Sequence, residues 1–420
     1  MTAPRSAPAS GADPCDGDAI LARLRALAAF TDVPGEMTRL TLSPAHKAAA
    51  AQVAQWFAAA GMAVHLDATG SVVGRYDGLD PHAPALLLGS HIDTVRNAGI
   101  FDGNLGVMLG LAVVEQLATT GRRLPFPIEV LAFADEEGVR FPSTLTSSRA
   151  VAGRFDPTAL DDVDADGITR RAALQAFGVM ADATAACDRT RTARAYVEAH
   201  IEQGPVLERL GLPLGVVTAI AGASRGRVAV RGQAGHSGTL PMEMRNDALT
   251  AAAEMILAVE ARGRQEPSLV ATVGTLTIPG AAVNVVPGTV SFSLDVRAPD
   301  DHQRLAALAD ILAGLDTIAA RRGVSVAFER TYEEAAAPCD PALQAALAAA
   351  VARTGVPVHH LPSGAGHDGL SLNGALPIAM LFVRSRNGSH NPREDASAAD
   401  IGLAARTLCA FVEELARITE

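Results

Sequence analysis

Three short, largely apolar runs end on side chains that carry charge or metal-binding lone pairs. "ALLLGS" (Ala85–Ser90) leads straight into His91 and Asp93. "FPIEVLAFADEEG" (Phe126–Gly138) closes on Asp135, Glu136 and Glu137, and "PIAMLFV" (Pro377–Val383) precedes His390 in "RNGSHNPRE". Runs of this length with little polar interruption read as strands buried on both faces. Between the first two lies "LGVMLGLAVVEQLATTG" (Leu105–Gly121), a helical pattern closed by glycine. Strand, helix and strand in this rhythm predict an α/β fold with a partly parallel sheet and helices on its faces. Open sheets of that kind carry their active sites beyond the carboxyl ends of the strands, where these histidines and acids fall.

The middle of the chain follows another pattern. "RGRVAVRGQ" (Arg225–Gln233) and "VSFSLDVR" (Val290–Arg297) alternate apolar and polar residues. A helix with an apolar stripe at Leu249, Ala252, Ile256 and Val259, a strand Val270–Ile278, a helix His302–Arg322 and a strand Val324–Arg330 complete a β-α-β-β-α-β order. That order predicts a small two-layer α+β domain with one open sheet face. At 420 residues the chain is long for a single core. It reads as a flexible leader (1–18), a catalytic domain in two pieces (19–212 and 332–420) and an inserted domain (213–331).

Composition narrows the function. A formal charge of −11 argues against a nucleic-acid partner, which needs clustered lysine and arginine. No apolar run reaches membrane-spanning length, and the start lacks a secretory core, so no membrane partner and a cytoplasmic location are expected. The four cysteines, Cys15, Cys187, Cys339 and Cys409, form no CxxC pair and read as free thiols. A metal would then be held by histidine and carboxylate, a donor set that suits manganese or zinc, with cobalt or nickel also possible. A lone histidine is more often a satisfied polar group than a ligand, and Asp135 could simply cap a helix. The joint pattern of His91, Asp93 and Asp102, of Asp135, Glu136 and Glu137, of His200 at the end of Ala195–Ile201 and of His390 is what points to metal, with Asp102 placed among glycines as a bridge between two ions.

"GSHIDTV…FDGNLGV", "FADEEGVRF", "HIEQGPVLE", "GQAGHSGT" and "SHNPRE" occur in the order found in the dinuclear-metal amidohydrolases of the M20 metallopeptidase superfamily. The chain most resembles the ureido-hydrolysing branch: allantoate amidohydrolase, N-carbamoyl-L-amino-acid hydrolase and bacterial β-ureidopropionase. The resemblance implies a dinuclear-metal aminopeptidase-like catalytic domain with an inserted ferredoxin-like lid and dimerisation domain, and a homodimer. It implies that two divalent ions are held by His91, Asp102, Glu137, His200 and His390, Asp102 bridging, with the Asp93 carboxylate on the second ring nitrogen of His91. Peptidases of the superfamily carry a carboxylate where His200 stands, which favours the ureido branch. Glu136 would be the general base and His236 the oxyanion donor, acting as a rule in the active site of the other subunit. Gln203, Asn284, Arg297 and Gly366 would contact substrate, Arg297 through its carboxylate. His367 and Asp368 are placed beside the ligands without a firm role. The expected activity is hydrolysis of a small ureido acid, allantoate ahead of N-carbamoyl-L-amino acids; a dipeptidase and a non-catalytic binding protein are the more distant readings.

Overall fold

The structure is a computed structural model and describes residues 13–419. Two compact units divide the chain. The first is built from the chain up to Thr218, from Cys339–Leu361 and from His367 onward; the second comprises Ala219–Pro338 and Pro362–Gly366.

The first unit is organised on a mixed sheet in the order Ala63–Leu66, Val72–Tyr76, Ile128–Phe133, Ala85–His91, Ala193–Ile201, Ile378–Val383, Leu214–Ile220. The four strands from Ile128–Phe133 to Ile378–Val383 are parallel to one another, so their carboxyl ends share one edge. Strands Ala85–His91, Ile128–Phe133 and Ile378–Val383 are buried along their whole length, as their largely apolar text requires, with Glu129 in the second paired to Arg75 and Arg189. Helix Asn104–Thr119 packs on the first of them and on Ala193–Ile201.

Helix ends follow local chemistry. Asp16, Ser43 and Asp340 each accept a backbone N–H in the first turn of the helices Gly17–Ala28, Pro44–Ala59 and Pro341–Arg353. Residues 1–12 of the expected leader lie outside the described residues, but its last part is not loose. Cys15 is buried, and the helix begins at Gly17, where an added Cβ would lie 1.7 Å from the carbonyl oxygen of Ala398. Only glycine lets this helix seat so close to Ala398–Thr419. That packing also brings Cys15 Sγ within 3.7 Å of Cys409 Sγ, although the two are remote in sequence and both are free.

The second unit is an antiparallel sheet in the order Leu276–Thr277, Thr289–Ala298, Gly222–Arg231, Ser325–Glu334, with helices Ala248–Gly263 and Asp301–Arg322 packed on it. The strand expected over Val270–Ile278 is broken into Val270–Thr272 and Leu276–Thr277. Gly274 N and Thr275 N donate to the side chain of Ser293, not to a neighbouring backbone, which interrupts the ladder. The buried stripe of Ala248–Gly263 runs through Ala248, Ala251, Ala252, Met255 and Val259, while Leu249 and Ile256 are only half-buried at its margins. Among the described residues, no helix is long and apolar enough to cross a membrane.

His46 gives the first unit a pH dependence. Its ring is fully buried against Phe177, and Nδ1 accepts the Leu42 N–H at 2.8 Å. Burial, with Arg39 and Arg140 nearby, lowers its pKa from 6.5 to about 3. The unfolded chain therefore binds one more proton than the folded one between these values. This contribution is complete above pH 6.5 and falls by about 1.4 kcal/mol per pH unit as the solution is acidified. Urea unfolding at pH 6 and pH 5 should show that slope reduced by about this amount in His46→Asn; an equal slope would exclude His46 as its source.

Candidate metal centre

The carboxyl ends of the parallel strands deliver the predicted ligands to one place. His91 ends its strand, Glu136 and Glu137 follow Ile128–Phe133, His200 lies near the end of Ala193–Ile201, and His390 sits in the loop after Ile378–Val383. Asp102 precedes helix Asn104–Thr119. Its Oδ1 lies 3.4 Å from His91 Nε2 and 3.1 Å from His200 Nε2, and its Oδ2 lies 3.5 Å from His390 Nε2. Glu137 Oε2 is 3.4 Å from the same His390 nitrogen. Two clusters result, His91–Asp102–His200 and Asp102–Glu137–His390, sharing Asp102. Gly103 makes the approach possible: its φ is +65°, and a Cβ there would lie 2.5 Å from the His91 ring.

The tautomers follow from the second nitrogens. His91 Nδ1 faces the Asp93 carbonyl oxygen at 3.0 Å, and His200 Nδ1 faces the Ile201 carbonyl at 2.9 Å. A carbonyl only accepts, so both rings carry hydrogen on Nδ1 and, when neutral, turn an Nε2 lone pair toward Asp102. Nitrogens and a carboxylate oxygen this close need either ring protons or a metal ion between them. Metal–ligand bonds of about 2.0–2.2 Å in a tetrahedral shell set neighbouring ligand atoms roughly 3.3–3.6 Å apart. Three of the observed edges, 3.4–3.5 Å, fall in that range, and the His200–Asp102 edge at 3.1 Å is slightly shorter. The Asp93 carboxylate faces the second ring nitrogen of His91 and has a further task besides. It stands 3.5 Å from His91 Nδ1 and accepts the backbone N–H groups of Glu136 (3.1 Å) and Glu137 (3.2 Å), fixing the loop that carries both acids.

The electrostatics are those of a site short of positive charge. Burial alone would raise the Asp102 carboxyl, but His200 and His91 hold it well below the ordinary carboxylate range. Burial pushes Glu136 well above that range despite His91, with Glu137, Asp368 and Asp93 adding to the rise. Burial and the neighbouring Asp102 do the same to Glu137. Glu136 Oε2 stands 3.9 Å from His91 Nε2 and keeps 14% side-chain exposure, which leaves it open to a reactant. His367 packs edge-on against the His200 ring, and Asp368 is buried beside Glu198. Glu198, His200 and His367 do not make a third site, because His200 already uses both ring nitrogens.

A model described as Peptidase family M20/M25/M40 matches residues 87–414. The chain belongs to this family. It is 40% identical over 404 residues to an N-carbamoyl-L-amino acid amidohydrolase of Geobacillus stearothermophilus, covering 96% of this chain and 99% of that protein. It is 37% identical over 433 residues to allantoate deiminase 1 of Glycine max, covering 95% and 89%. Among solved structures, an amidase of the hydantoinase/carbamoylase family from Burkholderia multivorans superposes with a TM-score of 0.90 at 35% identity, over 96% of this chain and 98% of that one. Like these relatives, this M20-family chain is a hydrolase.

Gln203, expected to touch substrate, donates from Nε2 to Asp102 Oδ2 at 2.9 Å, and its Oε1 is buried without a hydrogen-bond partner. The remaining expected contacts, His236, Asn284, Arg297 and Gly366, belong to the second unit. There His236 pairs with Val285, and Ser237 N donates to Asn284 O at 3.0 Å, so His236 and Asn284 are neighbours. Arg297 lines a groove of about 740 Å³ with Arg225, Ser293 and Asp295. Both oxygens of Asp295 accept from Arg297 Nε and Nη2 at 2.9 Å, and Gly364 O accepts from Nη1 at 2.9 Å.

Sequence reading missed the support of Asp102. The Ser389 hydroxyl touches both Asp102 Oδ2 and Glu394 Oε2. Glu394 Oε1 accepts the N–H groups of Phe101 (2.9 Å) and Asp102 (3.2 Å). Burial and Asp102 push Glu394 up to about 7. Its position in the same short motif as His390 was the available signal. Gln203 (φ +61°) and His390 (φ +57°) are both in the left-handed region, a conformation that the packing around the site imposes and that no sequence pattern announced.

Asp135 separates from the ligand acids. It is buried and accepts from Arg170 at 2.8 Å and from the backbone N–H groups of Thr146 and Ser147, so it is a structural ion-pair partner. Asp135→Asn should lower stability by roughly 1–3 kcal/mol, because the buried Arg170 charge loses its close partner and keeps only Asp162 at 3.8 Å. Metal stoichiometry of the folded fraction, read by elemental analysis, should stay at the wild-type value; loss of metal would make Asp135 part of the centre.

Proposed function

We propose that the chain hydrolyses the C–N bond of a ureido group on a carboxylate-bearing acid, with allantoate as substrate and ureidoglycine, ammonia and carbon dioxide as products. The observation that carries this reading is the pair of clusters sharing Asp102, with the raised Glu136 carboxyl beside them. His91, Asp102 and His200 would hold one divalent ion, and Asp102, Glu137 and His390 a second, as manganese or zinc, with cobalt or nickel as further options. When bound, such ions supply a water of lowered pKa and a Lewis acid for the ureido carbonyl.

The chain's own residues do the rest. Glu136, raised by burial, takes a proton from the attacking water and delivers it to the departing nitrogen, which is a poor leaving group without it. His236 Nδ1 accepts the Gly238 N–H at 3.1 Å, so its neutral ring presents Nε2–H as a donor, the form an oxyanion needs. Arg297 spends three of its N–H groups on Asp295 and Gly364, which leaves one on each terminal nitrogen for a substrate carboxylate. The unused Gln203 Oε1 suits a ureido N–H, and Asn284 and the Gly366 backbone would be further substrate contacts by the family resemblance. N-carbamoyl-L-amino acids are the second reading, favoured by the Geobacillus relative at 40% identity. A homodimer in the cytoplasm belongs to the same proposal.

Metal-stripped protein, restored with manganese or zinc, should release ammonia from allantoate faster than free amino acid from N-carbamoyl substrates. The reverse order selects the second reading, and no turnover of either by metal-loaded protein removes both. Glu136→Gln should keep two metals and lose about 100- to 10,000-fold in kcat; near-wild-type turnover would remove Glu136 as the base. Arg297→Ala should raise KM for carboxylate-bearing substrates by about 10- to 100-fold, from the loss of roughly 1.5–3 kcal/mol of charged hydrogen bonding. An unchanged KM would take Arg297 out of the site.

A further inference from the structure

Arg39 is entirely buried and, among the described residues, has no ion-pair partner. A charge in that position is costly unless it is well hydrogen-bonded. Four of its five N–H groups are bonded, and every acceptor is neutral. Nε donates to Ile92 O at 2.6 Å, Nη1 to Leu27 O at 2.8 Å and Phe30 O at 3.2 Å, and Nη2 to Asn104 Oδ1 at 2.5 Å. Leu27 lies in the last turn of helix Gly17–Ala28 and Phe30 just beyond it, where carbonyls are left over and a cation is favoured.

The acceptors define the role. Ile92 stands between His91 and Asp93. Asn104 opens helix Asn104–Thr119, and its Nδ2 donates to the backbone carbonyl of Asp102 at 2.9 Å. One guanidinium therefore reaches both ends of the loop that starts at one candidate ligand and returns at the shared one. The Arg39 backbone adds a third tie, donating N–H to Thr94 Oγ1 and accepting Thr94 N–H, each at 2.9 Å. Only a planar fork with five donors can span these acceptors; a lysine ammonium has three donors from a single atom.

We infer that Arg39 is a positioning residue of the metal centre: its fork, acting through Ile92 O and through Asn104, sets the separation of His91 and Asp102 and so the fit of a divalent ion between them. This rests on the dinuclear reading proposed above. It also gives the buried charge a reason to persist, since the fork is anchored to a helix end that does not belong to the site.

Zinc affinity of the full chain, measured by chelator competition after metal stripping, tests it with Arg39→Lys and with Asn104→Ala. The second variant cuts only the arm toward Asp102 and decides the matter if the first does not fold. Groups that orient metal ligands typically contribute 10- to 100-fold in affinity. The expected result is a loss of that size in zinc affinity for each folded variant, with near-ultraviolet circular dichroism of the metal-free protein unchanged. Folded variants that are merely less stable, with wild-type zinc affinity, would overturn the proposal and leave the metal centre standing. A wild-type chain that binds no divalent ion would overturn the centre and the proposal together.

Discussion

The Asp102 carboxylate is the constraint to which the rest of the first unit answers. It is buried, it faces three imidazole nitrogens within 3.5 Å, and two of those rings are locked into tautomers that present lone pairs to it. Such an arrangement is repulsive without positive charge at its centre. Its geometry persists because each member is fixed from outside: Asp102 through Glu394, Ser389 and Asn104, His91 through the Asp93 carbonyl, and the Glu136–Glu137 loop through the Asp93 carboxylate.

The parallel sheet explains why these groups can converge. Four neighbouring strands end on one edge, so side chains more than 290 residues apart in sequence meet there without long loops. The same arrangement separates two kinds of acid that look alike in the text "FADEEG". Asp135 turns toward Arg170 and the helix beginning at Thr146 and serves stability, while Glu136 and Glu137 turn toward the histidines. The family membership and the superposition on a solved amidase agree with this architecture over nearly the whole chain.

Much of this was legible in the sequence. Apolar runs named three of the central strands, and the histidines and acids after them pointed to His91, Glu136, Glu137 and His390, which the structure brings together, because buried parallel strands have a readable composition; His200, on the strand Ala193–Ile201, follows none of those runs. Alternation named the sheet of the second unit, but Val270–Ile278 broke where Ser293 captured two backbone N–H groups, a cross-strand event with no local signature. The last residues of the expected leader proved packed, because the glycine that seats them against Ala398 has meaning only once the partner helix is in place.

What the sequence by itself determined was the inventory: which strands are buried, which donor types stand at their ends, and hence that a metal here must bind through nitrogen and oxygen. What only the tertiary structure decided was relation: which nitrogen of each histidine is free, which oxygen of Asp102 two rings share, and which acid of three is locked in an ion pair. The physical reason is range. Hydrophobic burial and strand ends are written in neighbouring residues, whereas a tautomer, a ligand edge or a buried arginine's acceptors depend on atoms supplied by distant segments, and no local pattern records which of them will arrive.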